Sequence, residues 1–159
     1  VKDPRPLTSA EDFRRALIEL LGSSRRSLNI LSEHLDRALY HDAEVVEALS
    51  RFARDSRFVQ VRILIRDSDP VVRHHHRLHH LTQRLGSIME IRKVQATVDT
   101  PDWEFAVADD RQLLVRDERH QWLGVYEADN PVRSRKLLDV FEQDWPLAVP
   151  DGNLRRLLI

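Results

Sequence analysis

The residues of this chain best suited to chemistry are concentrated in one stretch, DWEFAVADDRQLLVRDER, from Asp102 to Arg119. It sets Asp102, Glu104, Asp109 and Asp117 among Arg111, Arg116 and Arg119, and His120 follows directly. Apolar residues at Phe105, Val107, Leu113 and Val115 mark two strands joined by a tight polar turn around Asp110 and Arg111. Carboxylates and guanidinium groups so placed can hold a cation or neutralise one another. Acid–base or nucleophilic work would further require a histidine within hydrogen-bond reach of a carboxylate.

A second cluster, RHHHRLHH, supplies His74, His75, His76, His79 and His80. Histidines at i and i+4 on a helix can share one metal ion. The pairs His75/His79 and His76/His80 offer two ligands each, whereas a structural zinc wants four and a catalytic one three plus water. On a helix from about Val71 to Leu85, the core stripe is Val71, Leu78, Leu81 and Leu85, with His74 inside it and His75 at its edge. His76, His79 and His80 then point to solvent. The expectation is a polar helix face, with no metal or other cofactor and with His75 and His79 as the weak exceptions.

Elements of alternating type must carry these residues. Thr8 to Glu11 has capping-box spacing, and Phe13, Ala16, Leu17, Leu20 and Leu21 follow on one face of a helix ending near Gly22. SLNILS (Ser27 to Ser32) reads as a buried strand, and EHLDRALYHD as a polar, irregular connection. Asp42 caps a helix bearing Val45, Val46, Leu49, Phe52 and Ala53, and FVQVRILIRD (Phe58 to Asp67) is the strongest strand signal. After the histidine-bearing helix, SIMEIRKV, DWEFAVAD, RQLLVR and HQWLGVYE supply four more strands. Asn130 with Pro131 opens a last helix carrying Leu137, Leu138, Phe141 and Trp145. The order predicts an α/β fold: a mixed sheet, parallel where helices cross over and antiparallel where hairpins follow, with helices on both faces.

Composition narrows the functions. Basic and acidic residues balance at 25 against 26, so no global field draws nucleic acid or an anionic membrane. Trp103, Trp122 and Trp145 fall at core-compatible positions and are not interleaved with basic residues as in single-strand binders. No apolar run approaches the ~20 residues of a membrane span. Cysteine is absent, which excludes disulfides and thiolate zinc ligands and fits a reducing cytoplasm, the expected location. One domain is expected over residues 1–159, and a start at Val1 fits a processed or trimmed chain as well as a piece of a longer protein.

The order of elements and the hairpin together resemble the phospholipase D superfamily, from about Ser9 to Trp145. The family motif is H-x-K-x4-D, then six residues and G-S, often with N two residues later, on a strand hairpin. Asp109 falls on the motif aspartate. Asp102 stands at the histidine, Glu104 at the lysine, Arg116 and Asp117 at the Gly-Ser pair, and Arg119 at the asparagine. A carboxylate in place of the phosphate-binding lysine reverses the sign of the interaction. The resemblance therefore implies a degenerate bacterial domain of one copy, a binding or regulatory module without catalysis. Similar domains can follow an acetyltransferase domain, which implies a fused or associated enzyme domain as partner. The alternative is a divergent hydrolase with His120 as its relocated nucleophile.

Ligands of open α/β sheets sit beyond the carboxyl ends of the parallel strands. Glu33, Arg66 and Asp67 lie there and, with Asp102, Glu104, Asp109, Arg116 and Asp117, outline a vestigial pocket. It would either take a cationic group or a divalent metal, or form a patch in which Arg66 or Arg116 neutralises Glu104 and Asp109. The family's paired copies further imply a homodimer, weak and salt-sensitive given the charges around the hairpin.

Overall fold

A computed structural model describes residues 3–55, 58–73, 76–95 and 102–148, with the backbone alone at 72 and 73. The elements are β1 (Arg5–Leu7), α1 (Ala10–Gly22), β2 (Ser27–Ser32), α2 (Arg37–Tyr40), α3 (Ala43–Arg54), β3 (Gln60–Ile65), α4 (Asp69–Arg73) and α5 (Arg77–Arg84). They continue with β4 (Met89–Lys93), β5 (Glu104–Ala108), β6 (Gln112–Arg116), β7 (Gly124–Glu127), α6 (Pro131–Asp144) and a short 3-10 turn, Trp145–Leu147. All seven strands form one sheet in the order β1-β7-β6-β5-β2-β3-β4. β2, β3 and β4 run parallel, and every other neighbouring pair is antiparallel. The mixed sheet expected from the order of elements is thus present.

Strand alternation divides the core. Leu28, Ile30, Ala106, Ala108 and Leu114 face a cluster with the apolar sides of α1, α3 and α5. Leu31, Phe105, Val107, Leu113 and Val115 face Leu137, Leu138, Phe141 and Trp145 of the last helix and turn. Because both sheet faces are covered, β5 and β6 are buried at every residue.

Several local expectations change. The N-cap of α1 is Ser9, one residue later than the Thr8 spacing suggested; its side chain accepts the Asp12 N–H, and the Asp12 carboxylate accepts the Thr8 N–H at 2.9 Å. β1, a three-residue edge strand paired with β7, carries no apolar alternation, and Pro6 suits only an edge. The connection EHLDRALYHD contains α2, capped by Asp36.

The helix expected from Val71 to Leu85 is two helices, because His76 leaves helical geometry and caps α5. That break resets the phase of the helical wheel. His76 and His79 are consequently buried, at 1% and 2% exposure, where an unbroken helix would have turned them outward. His80 is exposed as expected. His74 and His75 lie outside the described residues.

Asp109 also has a role different from the one expected of it. It closes the far end of β5 in left-handed backbone geometry, φ 55°, beside Asp110 at φ 56°. Its carboxylate accepts the backbone N–H groups of Arg25, Arg26 and Ser27 at 2.8, 2.7 and 3.1 Å. It therefore fastens the entry of β2 to the hairpin. At about 3.3 Å per residue it lies roughly 16 Å along the strand from Glu104.

Candidate functional site

Sheet register assembles the candidate site. Glu104 at the start of β5 is paired with Arg116 at the end of β6, and Leu31 of β2 with Phe105, so Ser32 falls beside Glu104 on its other flank. Glu104 is 6% exposed. Its Oε2 accepts the Ser32 hydroxyl at 2.8 Å and the Glu33 backbone N–H. Its Oε1 faces Arg116 Nη1 at 3.2 Å.

Arg116 is engaged in turn through Nε and Nη1. Its Nη1 lies 3.3 Å from Asp36, its Nε donates to the Gln121 carbonyl at 2.6 Å, and the guanidinium lies over the Trp122 ring at 3.8 Å. The void beside this pair, bounded also by Phe13, Leu39 and Tyr40, measures about 10 Å³. That is room for one water at most. Burial, and after it the charge of Glu104, push the Tyr40 hydroxyl far above its ordinary pKa, so it is a neutral wall.

The outer part of the site is a second set of pairs. Glu33 Oε2 lies 3.5 Å from Arg66 Nη1 and 3.2 Å from Arg119 Nη1, and Arg119 reaches the exposed Asp102 at 3.4 Å. Arg66 donates through Nη2 to the Trp103 carbonyl at 2.9 Å, while its buried Nε and Nη1 make no hydrogen bond among the described residues. Burial lowers its pKa, and Glu33 and Glu104 oppose that shift.

The structure thus brings Glu33, Arg66, Asp102, Glu104 and Arg116 together and leaves three expected members out. Asp109 is at the opposite end of β5. The Asp67 carboxylate accepts the Asp69 N–H at 3.1 Å at the start of α4, and the N–H of the exposed Asp117 donates to the Leu123 carbonyl at 2.9 Å. Within the patch Arg116 pairs with Glu104 and Arg66 with Glu33, whereas the Asp109 carboxylate is held by backbone N–H groups. Asp36 was missed because its segment has no periodic pattern. An aspartate immediately ahead of RALY is the N-cap signal that could have located it.

The histidines lie apart from this network. His120 is exposed, and Arg119 Nε donates to its Nε2 at 3.2 Å, so a neighbouring cation occupies the lone pair that a base would use. Among the described residues no group of three or more His, Cys, Asp or Glu is placed to hold a metal. His79 is buried on α5, and its proposed mate His75 is outside the described residues.

His76 has both ring nitrogens engaged: Nδ1 accepts the Leu78 N–H at 3.1 Å, and Nε2–H donates to the Leu35 carbonyl at 2.7 Å. Leu35, held at φ 57°, belongs to the loop that carries Glu33 and Asp36. Protonation would place a hydrogen on Nδ1 against the Leu78 N–H. Burial, with smaller contributions from the charges of His41, Arg37 and His79, lowers the His76 pKa to about 4, although the bond to Leu35 acts in the other direction.

A stability loss in acid follows from that depressed value. An unfolded histidine titrates near ~6.5, so between the two values the unfolded chain binds more protons. The contribution of neutral His76 is complete above pH ~6.5 and is lost as pH falls through about 4, amounting to roughly 3 kcal/mol. Urea unfolding at several pH values should show this loss in the native chain. It should be much smaller in His76→Asn, which keeps a capping acceptor that does not titrate; equal losses in both chains would place the acid sensitivity elsewhere.

With the geometry in hand, the fold is recognisable as a phospholipase D-like half-domain. Similar solved structures include NucT from Helicobacter pylori, at TM-score 0.67 and 12% identity, covering 94% of this chain and 99% of that one. Phosphatidylserine synthase from Haemophilus influenzae matches at TM-score 0.58 and 14% identity, over 87% of this chain and 37% of that one. Both belong to the phospholipase D superfamily. TrmBL2, an archaeal chromatin protein whose structure shows a novel mode of DNA binding, matches at TM-score 0.64 and 13% identity. That match covers 94% of this chain, which spans about half, 54%, of the TrmBL2 chain. The chain belongs to the family described as domain of unknown function (DUF7931), matched over residues 9–157. No curated protein matches the sequence.

Proposed function

We propose that this domain is a degenerate phospholipase D-like module that binds or regulates and does not hydrolyse phosphodiesters. The observation that supports it is Glu104. Where the superfamily motif has a phosphate-binding lysine, a buried carboxylate stands, fully engaged by Arg116, Ser32 and the Glu33 N–H. An incoming phosphate would meet a negative charge and a filled space. No nucleophile replaces the motif histidine, because Asp102 is ion-paired and the Nε2 of His120 accepts a hydrogen bond from Arg119. The partner proposed is an enzyme domain, fused or associated, in a bacterial cytoplasm.

A bis-aryl phosphate assay on the purified chain, with and without divalent metals, is expected to show no turnover above buffer. Hydrolysis that disappears in His120→Ala would establish the divergent hydrolase instead.

The likeness to a DNA-binding chromatin protein favours a second reading, in which the module binds duplex DNA. Against it, the exposed Arg15, Arg25 and Arg51 each lie within 4 Å of a carboxylate, on Glu11, Asp55 and Glu47. Salt-dependent binding to a duplex, with a slope reporting several released counterions, would establish that reading.

A further inference from the structure

We infer that the domain pairs with a second copy of itself through the outer edge of β4, in one register that its charges select. β4 is the last strand of the sheet, and among the described residues no strand pairs with its outer side. The Val61 N–H bonds the Ile88 carbonyl and the Val94 N–H bonds the Ile65 carbonyl, both at 2.9 Å. In a parallel ladder the even-numbered residues of β4 therefore face β3, and the odd-numbered ones turn their backbone groups outward. The Met89 N–H is taken by Leu85 in the preceding turn, which leaves Ile91 as the central outward-facing residue.

Twofold antiparallel pairing of this edge with its copy has three short registers that bring outward backbone groups together. Centring on Glu90 sets Glu90 against the partner's Glu90, and centring on Arg92 sets Arg92 against the partner's Arg92. Centring on Ile91 instead places each Glu90 opposite the partner's Arg92, and the Ile91 residues exchange two backbone hydrogen bonds. Opposite charges across a strand pair stabilise it and like charges oppose it, so only the last register is favoured.

Glu90 and Arg92 already share one face of the strand, with Arg92 Nε 3.2 Å from Glu90 Oε1. In the dimer the four side chains alternate in sign around a square. Arg92 is also preset: it lies 4.1 Å over the Trp145 ring and donates to the Trp145 carbonyl at 2.9 Å. Edge charges ordinarily discourage strand addition. Here their alternation rejects unrelated strands and out-of-register copies while accepting its own. Leu147, in the turn that begins at Trp145, is 81% exposed. The contact is isologous and closes at two copies.

Sedimentation equilibrium of four samples at up to about 200 μM, a range suited to a weak interface, tests this. The native chain should dimerise. Glu90→Arg alone and Arg92→Glu alone should each lose affinity by roughly tenfold or more, because each sets like charges opposite one another. An equimolar mixture of the two variants should recover dimers, since each edge then meets its opposite. Recovery would also show that both variants are folded. A native chain that stays monomeric, single variants that dimerise as it does, or a mixture that does not recover would each overturn the proposal.

Discussion

Replacing Arg116 by methionine is expected to lower folding stability by about 3–5 kcal/mol, the usual effect of leaving a buried charge without its partner. Glu104 would remain 6% exposed, with one oxygen facing an apolar side chain and the 10 Å³ void. The contact of the guanidinium over Trp122 and its bonds to Asp36 and the Gln121 carbonyl would be lost too. In urea the midpoint should fall by about 2 M with the slope unchanged.

Glu104→Gln with Arg116→Met should recover much of that loss, because no buried charge is then unpaired, and the two substitutions should be strongly non-additive. Glu104→Lys should be worse than either single change because two buried cations would then adjoin. Additive behaviour, or a cost below about 1 kcal/mol for Arg116→Met, would mean that water reaches Glu104 and that the pocket is more open than its geometry implies.

The second large effect is expected at Gly124, which sits in β7 opposite Arg116 of β6 on one side and Leu7 of β1 on the other. A Cβ at this position would stand 1.8 Å from the Val115 carbonyl oxygen, 2.9 Å from its carbon and 3.0 Å from Phe13 Cζ. Backbone cannot yield as a flexible side chain can. Gly124→Ala should therefore displace the start of β7, at a cost of about 3 kcal/mol or more and a fall in thermal midpoint of roughly 10 °C. The displacement should spread to the site, since Leu123 accepts the Asp117 N–H and Trp122 lies against both Arg116 and Phe13. A midpoint within about 2 °C of the native chain would mean that the strand pair can separate without loss, contrary to this packing.

Much of the architecture was legible before any coordinates. Val61, Ile63 and Ile65 alternate, and the apolar side of α1 repeats at helical spacing, because a strand or helix with one face on a core must place its side chains with that period. Asn130 and Pro131 located the start of α6, since capping depends only on a few neighbouring residues. That residue 104 is a glutamate was equally plain, because residue identity requires no geometry to read.

What the chain does with those residues was decided at longer range. The pairing of Glu104 with Arg116 follows from hairpin register, but the approach of Ser32, Glu33 and Asp36 depends on β2 lying beside β5, a contact between segments some 70 residues apart. Asp109 appeared to belong with Glu104 because it falls on the motif aspartate of the same hairpin; the five residues of β5 carry the two to opposite ends of that strand. His76 appeared exposed because a helical wheel assumes an unbroken helix, whereas its ring accepts the Leu78 N–H and donates to Leu35, 41 residues away. Periodicity and capping are properties of a few successive residues and survive in the sequence. Which side chains neutralise one another is set by the order in which strands assemble, and that order is a property of the whole fold.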